Sequence, residues 1–120
     1  MRITSVILEV ALFLVLLAIS PSAQPKGPKI SVTGEVVDMW CYFEAGDRGP
    51  AKRECATACA KAGNPIGVLD GKGNLYVTAG LKDHQAGREL LQDRTSQEVT
   101  VTGTLVKKAG VQMIFVDTVK

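Results

Sequence analysis

The chain has 120 residues, enough for one domain, with 14 basic and 12 acidic side chains and a net charge of +2. That balance argues against a nucleic-acid partner, which calls for a clustered basic face. The only basic pairs, Lys52-Arg53 and Lys107-Lys108, read as solvated surface.

Arg2 precedes an apolar run from Ile3 to Ile19, 17 residues interrupted by Thr4, Ser5 and Glu9, and Ser20-Pro21-Ser22-Ala23-Gln24-Pro25 follows. This is the order of a secretory signal, with cleavage expected after Ser22 or Ala23. The alternative is an uncleaved anchor. A helix of that length rises about 26 Å, short of a hydrocarbon core of roughly 30 Å, and Glu9 costs about 2–3 kcal/mol for insertion. Both points favour a removed signal over residues 1–24 and a periplasmic or secreted domain. If residues 3–19 are retained, they anchor the domain facing the periplasm, as an accessory subunit of a larger complex, and are its membrane contact. No cysteine stands directly after the apolar run, which argues against a lipoprotein. Residues 25–29, with Pro25, Gly27 and Pro28, form a short linker.

The domain itself spans residues 30–120. Ile30, Val32, Gly34 and Val36 alternate with Ser31, Thr33 and Glu35, the pattern of a half-buried strand. Val99, Val101, Gly103 and Leu105 repeat it against Thr100, Thr102 and Thr104. A glycine inside a strand marks a bulge or a bend, and two at matching places predict a closed or half-closed barrel. Ile66–Leu69 and Leu75–Thr78 flank Asp70-Gly71-Lys72-Gly73-Asn74, a hairpin with a glycine-rich turn. Leu81, Ala86, Leu90 and Leu91 fall at helical spacing and predict a helix over Leu81–Asp93, capped by Asp83. Val111–Val119 is the last strand, reached through the turn at Lys107–Gly110. The fold expected is mainly β with two short helices: a small five-stranded OB-like barrel preceded by an N-terminal hydrophobic helix. An irregular five-stranded sheet with two helices is the rival.

The other helix is an Ala-rich insert over residues 50–62, opened by Pro50 and closed by Gly63. Ala51, Cys55, Ala58, Cys59 and Ala62 share one face, which is expected to pack on the barrel.

The three cysteines are Cys41, Cys55 and Cys59. In an oxidising compartment the first expectation is a disulfide. Side chains at i and i+4 of a regular helix stand parallel and suit a bridge poorly, so Cys41 is expected to pair with Cys55 or with Cys59. Closing such a loop is worth roughly 3 kcal/mol in the chain-entropy model, and one thiol is left over. The competing expectation is a metal site. Three soft sulfurs with His84, the only histidine, make a Cys₃His set of the kind zinc accepts; thiolates with Met39 or Met113 suit copper(I). Covalent haem is not expected, since C-x-x-C-H is absent. Trp40, Tyr42 and Phe43 crowd around Cys41, and packing over the barrel end is the plainer expectation for them, a ligand-facing aromatic patch the sharper one. No nucleophile–base set, P-loop or dinucleotide fingerprint occurs, so a non-enzymatic protein is expected.

The run Asp38-Met39-Trp40-Cys41-Tyr42, then Cys55-Ala56-Thr57-Ala58-Cys59, then Gly63-Asn64-Pro65-Ile66-Gly67 resembles a largely uncharacterised group of small exported bacterial OB-fold-like proteins. Their skeleton is D-x-x-C-Y … C-x3-C … G-x-P-x-G. The resemblance covers most of residues 30–120 and implies export and an OB-like barrel, with no activity or catalytic residues to carry over. Members often have a histidine shortly before the second cysteine; here that stretch reads Lys52-Arg53-Glu54, which removes one ligand. Three functions are thus expected in turn: a disulfide-stapled exported module binding an unidentified protein or small ligand, a periplasmic zinc or copper protein, and a membrane-anchored accessory subunit.

Overall fold

A computed structural model of the chain describes residues 23–120. The expected signal or anchor over residues 1–24, with its apolar helix, lies outside the described residues except for Ala23 and Gln24. Among the described residues no helix is long and apolar enough to cross a membrane.

Five strands form the body: β1 (Lys29–Asp38), β2 (Ile66–Asp70), β3 (Leu75–Gly80), β4 (Glu98–Lys108) and β5 (Val111–Val119). They close into a barrel in the order β1-β2-β3-β5-β4, with β4 returning to β1. All pairings are antiparallel except β3 with β5. The OB-like order expected from the alternating segments is therefore present. The inward residues expected in β1 and β4 make the core: Val32, Val36, Val99 and Val101 join Ile66, Val68, Ile114 and Val116, all buried.

Closure depends on two close approaches. β1 exchanges its partner β4 for β2 around Gly34, which is opposite both Val99 and Asp70. A Cβ at Gly34 would lie 2.3 Å from the Leu69 carbonyl oxygen. The β4–β5 register slips between Thr102 and Gly103, and a Cβ at Gly103 would lie 2.2 Å from the Phe115 carbonyl oxygen. The glycines expected to bend the strands sit where only hydrogen fits.

Three helices complete the fold. α1 (Met39–Ala45) was not anticipated. α2 (Arg53–Ala62) follows a 3₁₀ turn at Pro50–Lys52 and matches the expected insert. α3 (Arg88–Leu91) is a short remnant of the expected Leu81–Asp93 helix, followed by a 3₁₀ turn at Gln92–Arg94. The first half of that expected helix is instead a tight turn. Gln85 N–H donates to the Lys82 carbonyl, Gly80 N–H to the Gln85 carbonyl, and His84 takes a left-handed φ of 59°. Asp83 caps nothing there, since α3 starts after Gly87. Leu91 is fully buried and plugs one part of the core, as Ala60 of α2 does elsewhere.

The packing face of α2 also differs from expectation. Ala56 and Ala60 are its buried residues, whereas Ala51, Cys55, Ala58 and Ala62 are exposed. Ala56 and Ala60 lie one turn apart, and as small side chains they let the helix approach the barrel closely. Cys55 and Cys59 form the neighbouring edge of the helix, turned about 100° away from that contact.

Candidate metal centre

The whole segment Met39–Pro65 is an excursion between β1 and β2. Its two ends are tied together: Met39 N–H donates to the Pro65 carbonyl at 3.0 Å, directly beside the Asp38–Ile66 pair that ends the β1–β2 ladder. The excursion folds as a helical hairpin at that end of the barrel.

Asp38 starts α1. Its Oδ2 accepts a hydrogen bond from Cys41 N–H at 3.0 Å, the N-cap arrangement that satisfies one otherwise orphaned donor. The helix stops at Gly46, whose left-handed φ of 69° brings its N–H to the Tyr42 carbonyl at 2.8 Å. The loop that follows is held in two places. Gly49 N–H donates to Glu35 Oε1 on β1, and Lys52 Nζ pairs with Asp47 Oδ2 at 3.0 Å. α2 is clipped to the segment before β4 by Thr57 and Thr95, whose hydroxyls lie 2.5 Å apart. These ties set α1 against the cysteine edge of α2.

The consequence is a three-sulfur cluster. Cys41, Cys55 and Cys59 are all free, and their Sγ atoms lie within 4.8 Å of one another. Three thiolates bound to one zinc ion at 2.3 Å in tetrahedral geometry sit about 3.8 Å apart, so the metal-free spacing needs only a small contraction. No bridge from Cys41 to a single helix cysteine is formed here, and the third sulfur lies within the same 4.8 Å as the other two. Cys55 is exposed, while Cys41 and Cys59 are half-buried.

The surroundings of Cys41 and Cys59 disfavour their thiolates. The Asp38 carboxylate beside the thiol, together with burial, pushes Cys41 up to about 12. Burial pushes Cys59 up as well, with the Asp38 charge adding to it. Lys52, raised by its ion pair with Asp47, stands on the same side as Cys41 and Cys55 and lines the cleft beside them.

His84 is not part of this site. It lies in the β3–α3 turn with a 93 % exposed side chain, its Nε2 3.4 Å from Asp83 Oδ2, and it is outside the sulfur group. The Cys₃His set is therefore corrected to three sulfurs. Met113 is on β5, opposite Val77 and Val106, and Met39 sits at the start of α1.

The aromatics depart from the packing expected of them. Trp40 is 61 % and Phe43 71 % exposed; Tyr42 is half-buried and meets Phe43 edge-on, with ring centroids 5.8 Å apart. α1 has only seven residues, and none of them is buried. With Cys41 turned to α2, positions 40 and 43 are left on the outside, where they border Met39, Glu44 and Pro65.

Asp38 and Lys52 are the site residues that sequence reasoning passed over. Asp38 is quoted in the cysteine skeleton without a role, although Asp three residues before Cys41 and Gly46 after Ala45 bracket a short capped helix. Compared with known proteins, the chain matches no family model, no curated protein and no solved structure.

Proposed function

We propose that this domain is a metal-binding protein of the exported compartment, holding one soft ion, zinc or copper, through Cys41, Cys55 and Cys59. The observation that carries the reading is the convergence of three free sulfurs within 4.8 Å, supplied by two helices that separate ties lock together. A disulfide staple needs two sulfurs in register; it gives no reason for a third at the same point. Soft thiolates suit both zinc and copper(I), and the exposed Cys55 leaves an approach for the ion.

The test is metal content and free-thiol count on the protein purified from the exported fraction without reductant or chelator. One equivalent of zinc or copper, lost together in Cys41→Ser and Cys59→Ser, supports the reading. A metal-free protein with one disulfide and one free thiol sinks it. That second outcome favours a stapled binding module, for which the exposed Trp40 and Phe43 supply the contact surface.

A further inference from the structure

We propose that Asp38 completes the site: its unpartnered Oδ1 faces the ion that the three sulfurs hold, and it makes the site one for a divalent ion of the zinc type rather than for copper(I). The inference rests on the metal-binding reading above and goes on to name the ion and the oxygen group.

Asp38 is 2 % exposed. Its Oδ2 is used by Cys41 N–H, but Oδ1 is buried with no hydrogen-bond partner, and it is the one such side-chain atom among the described residues. A buried polar atom without a partner is costly, and a structure that retains one calls for a missing partner such as an ion. The cleft beside Asp38 is lined by Cys41, Cys55, Asp47, Arg48, Lys52 and Ser96, so Asp38 and two of the three cysteines border one cleft. The carboxylate is not within the mutual 4.8 Å of the sulfurs, so on loading it reaches the ion by a side-chain rotation.

Charge selects the ion. Three thiolates and one carboxylate carry four negative charges, which Lys52, already shared with Asp47, and Arg48 at the same cleft offset only in part. A divalent ion neutralises twice as much as copper(I) does, in a half-buried place where each uncompensated charge is expensive. Oxygen beside sulfur also belongs to the donor range of zinc rather than to that of copper(I).

The experiment compares the full protein with Asp38→Asn, titrating zinc and copper(I) separately against chromophoric chelators. Asparagine keeps the helix cap and the side-chain shape while removing the charge. Zinc affinity is expected to fall by about tenfold to a hundredfold, with copper(I) affinity little changed. Equal weakening of both ions, or of neither, overturns the proposal. If the wild-type protein binds neither ion, the metal reading falls and this one with it. Should Asp38→Asn fail to fold, X-ray absorption of the zinc-loaded wild type decides. Three sulfurs near 2.3 Å with an oxygen at roughly 2.0 Å and a carboxylate carbon behind it support the proposal, and a shell of sulfur alone, or an oxygen with no such carbon, overturns it.

Discussion

Asp38 Oδ2 receives the Cys41 N–H at 3.0 Å, so the same carboxylate that starts α1 stands against the first sulfur of the cluster. Helix initiation and site electrostatics thus share one side chain. The local effect is opposite to that of an activating environment: the carboxylate disfavours a thiolate at Cys41 rather than generating one.

Alkylation of the reduced, metal-free protein therefore follows an order. Cys55 is exposed and is expected to react first with iodoacetamide. Cys41 is half-buried and its thiol is held up to about 12, so it is expected to react last. Peptide mapping by mass spectrometry at short times reads the order, and equal labelling of Cys41 and Cys55 contradicts it. Zinc is expected to protect all three together, since one ion occupies one point among them.

Barrel closure gives a second prediction. Gly34→Ala places a Cβ 2.3 Å from the Leu69 carbonyl oxygen, a backbone atom that cannot swing aside. The strand crossing must open, at a cost of about 1–3 kcal/mol, read as a lower midpoint in chemical denaturation. Gly71→Ala in the hairpin turn meets nothing within 4 Å and serves as the control.

How much of this was legible in the sequence follows from which signals are local. The strands alternate over enough residues to be read directly, and the paired glycines at Gly34 and Gly103 announced closure. Pro50 and Gly63 bracketed the insert helix for the same reason: each acts on its own backbone. The face of α2 was misread because Ala and Cys are similar in size, so periodicity alone does not rank Ala51-Cys55-Ala62 against Ala56-Ala60. α1 is too short for periodicity to show. The helix expected over Leu81–Asp93 fails at His84, whose left-handed φ is fixed by a turn that closes back on Gly80. Sequence named the three sulfurs and a shared metal site as one expectation among others, but their placement depends on Met39 and Pro65 bringing the ends of the excursion together. It proposed His84 because histidine is a ligand by type; three-dimensional placement removed it.

The β2–β3 turn carries a pH dependence. Asp70 accepts hydrogen bonds from the backbone of Lys72 at 2.9 Å and of Asn74 at 2.8 Å, and from Asn74 Nδ2 at 2.9 Å. The Asn74 bonds lead in holding its carboxyl below the ordinary value of 3.8. A carboxyl lowered by folding contributes stability that is fully present above its unfolded value and is lost as pH falls through the folded one. Asp70→Ala is therefore expected to melt below the wild type at pH 7, with the gap narrowing as the pH falls below the ordinary value of 3.8. A gap that stays constant across that range assigns the turn's stability to its backbone instead.

The last prediction links the barrel core to the sulfurs. Ala60 has no exposed surface and lies in the core cluster, while Cys59 is the residue before it and Cys55 lies one turn back. Ala60→Leu adds three carbons where α2 meets the barrel, and interiors packed to crystal density do not absorb them. The cheapest relief is for α2 to lift or rotate. Either motion carries Cys55 and Cys59 away from Cys41, which stays with α1 through Asp38. Stability is expected to drop by about 1–3 kcal/mol, and metal affinity with it, although no ligand has changed. Ala58→Leu, on the exposed side of the same helix, is expected to alter neither. If Ala60→Leu lowers the melting temperature but leaves zinc affinity at the wild-type value, the sulfurs are not held by the helix packing, and α1 and α2 move together as one unit on the barrel.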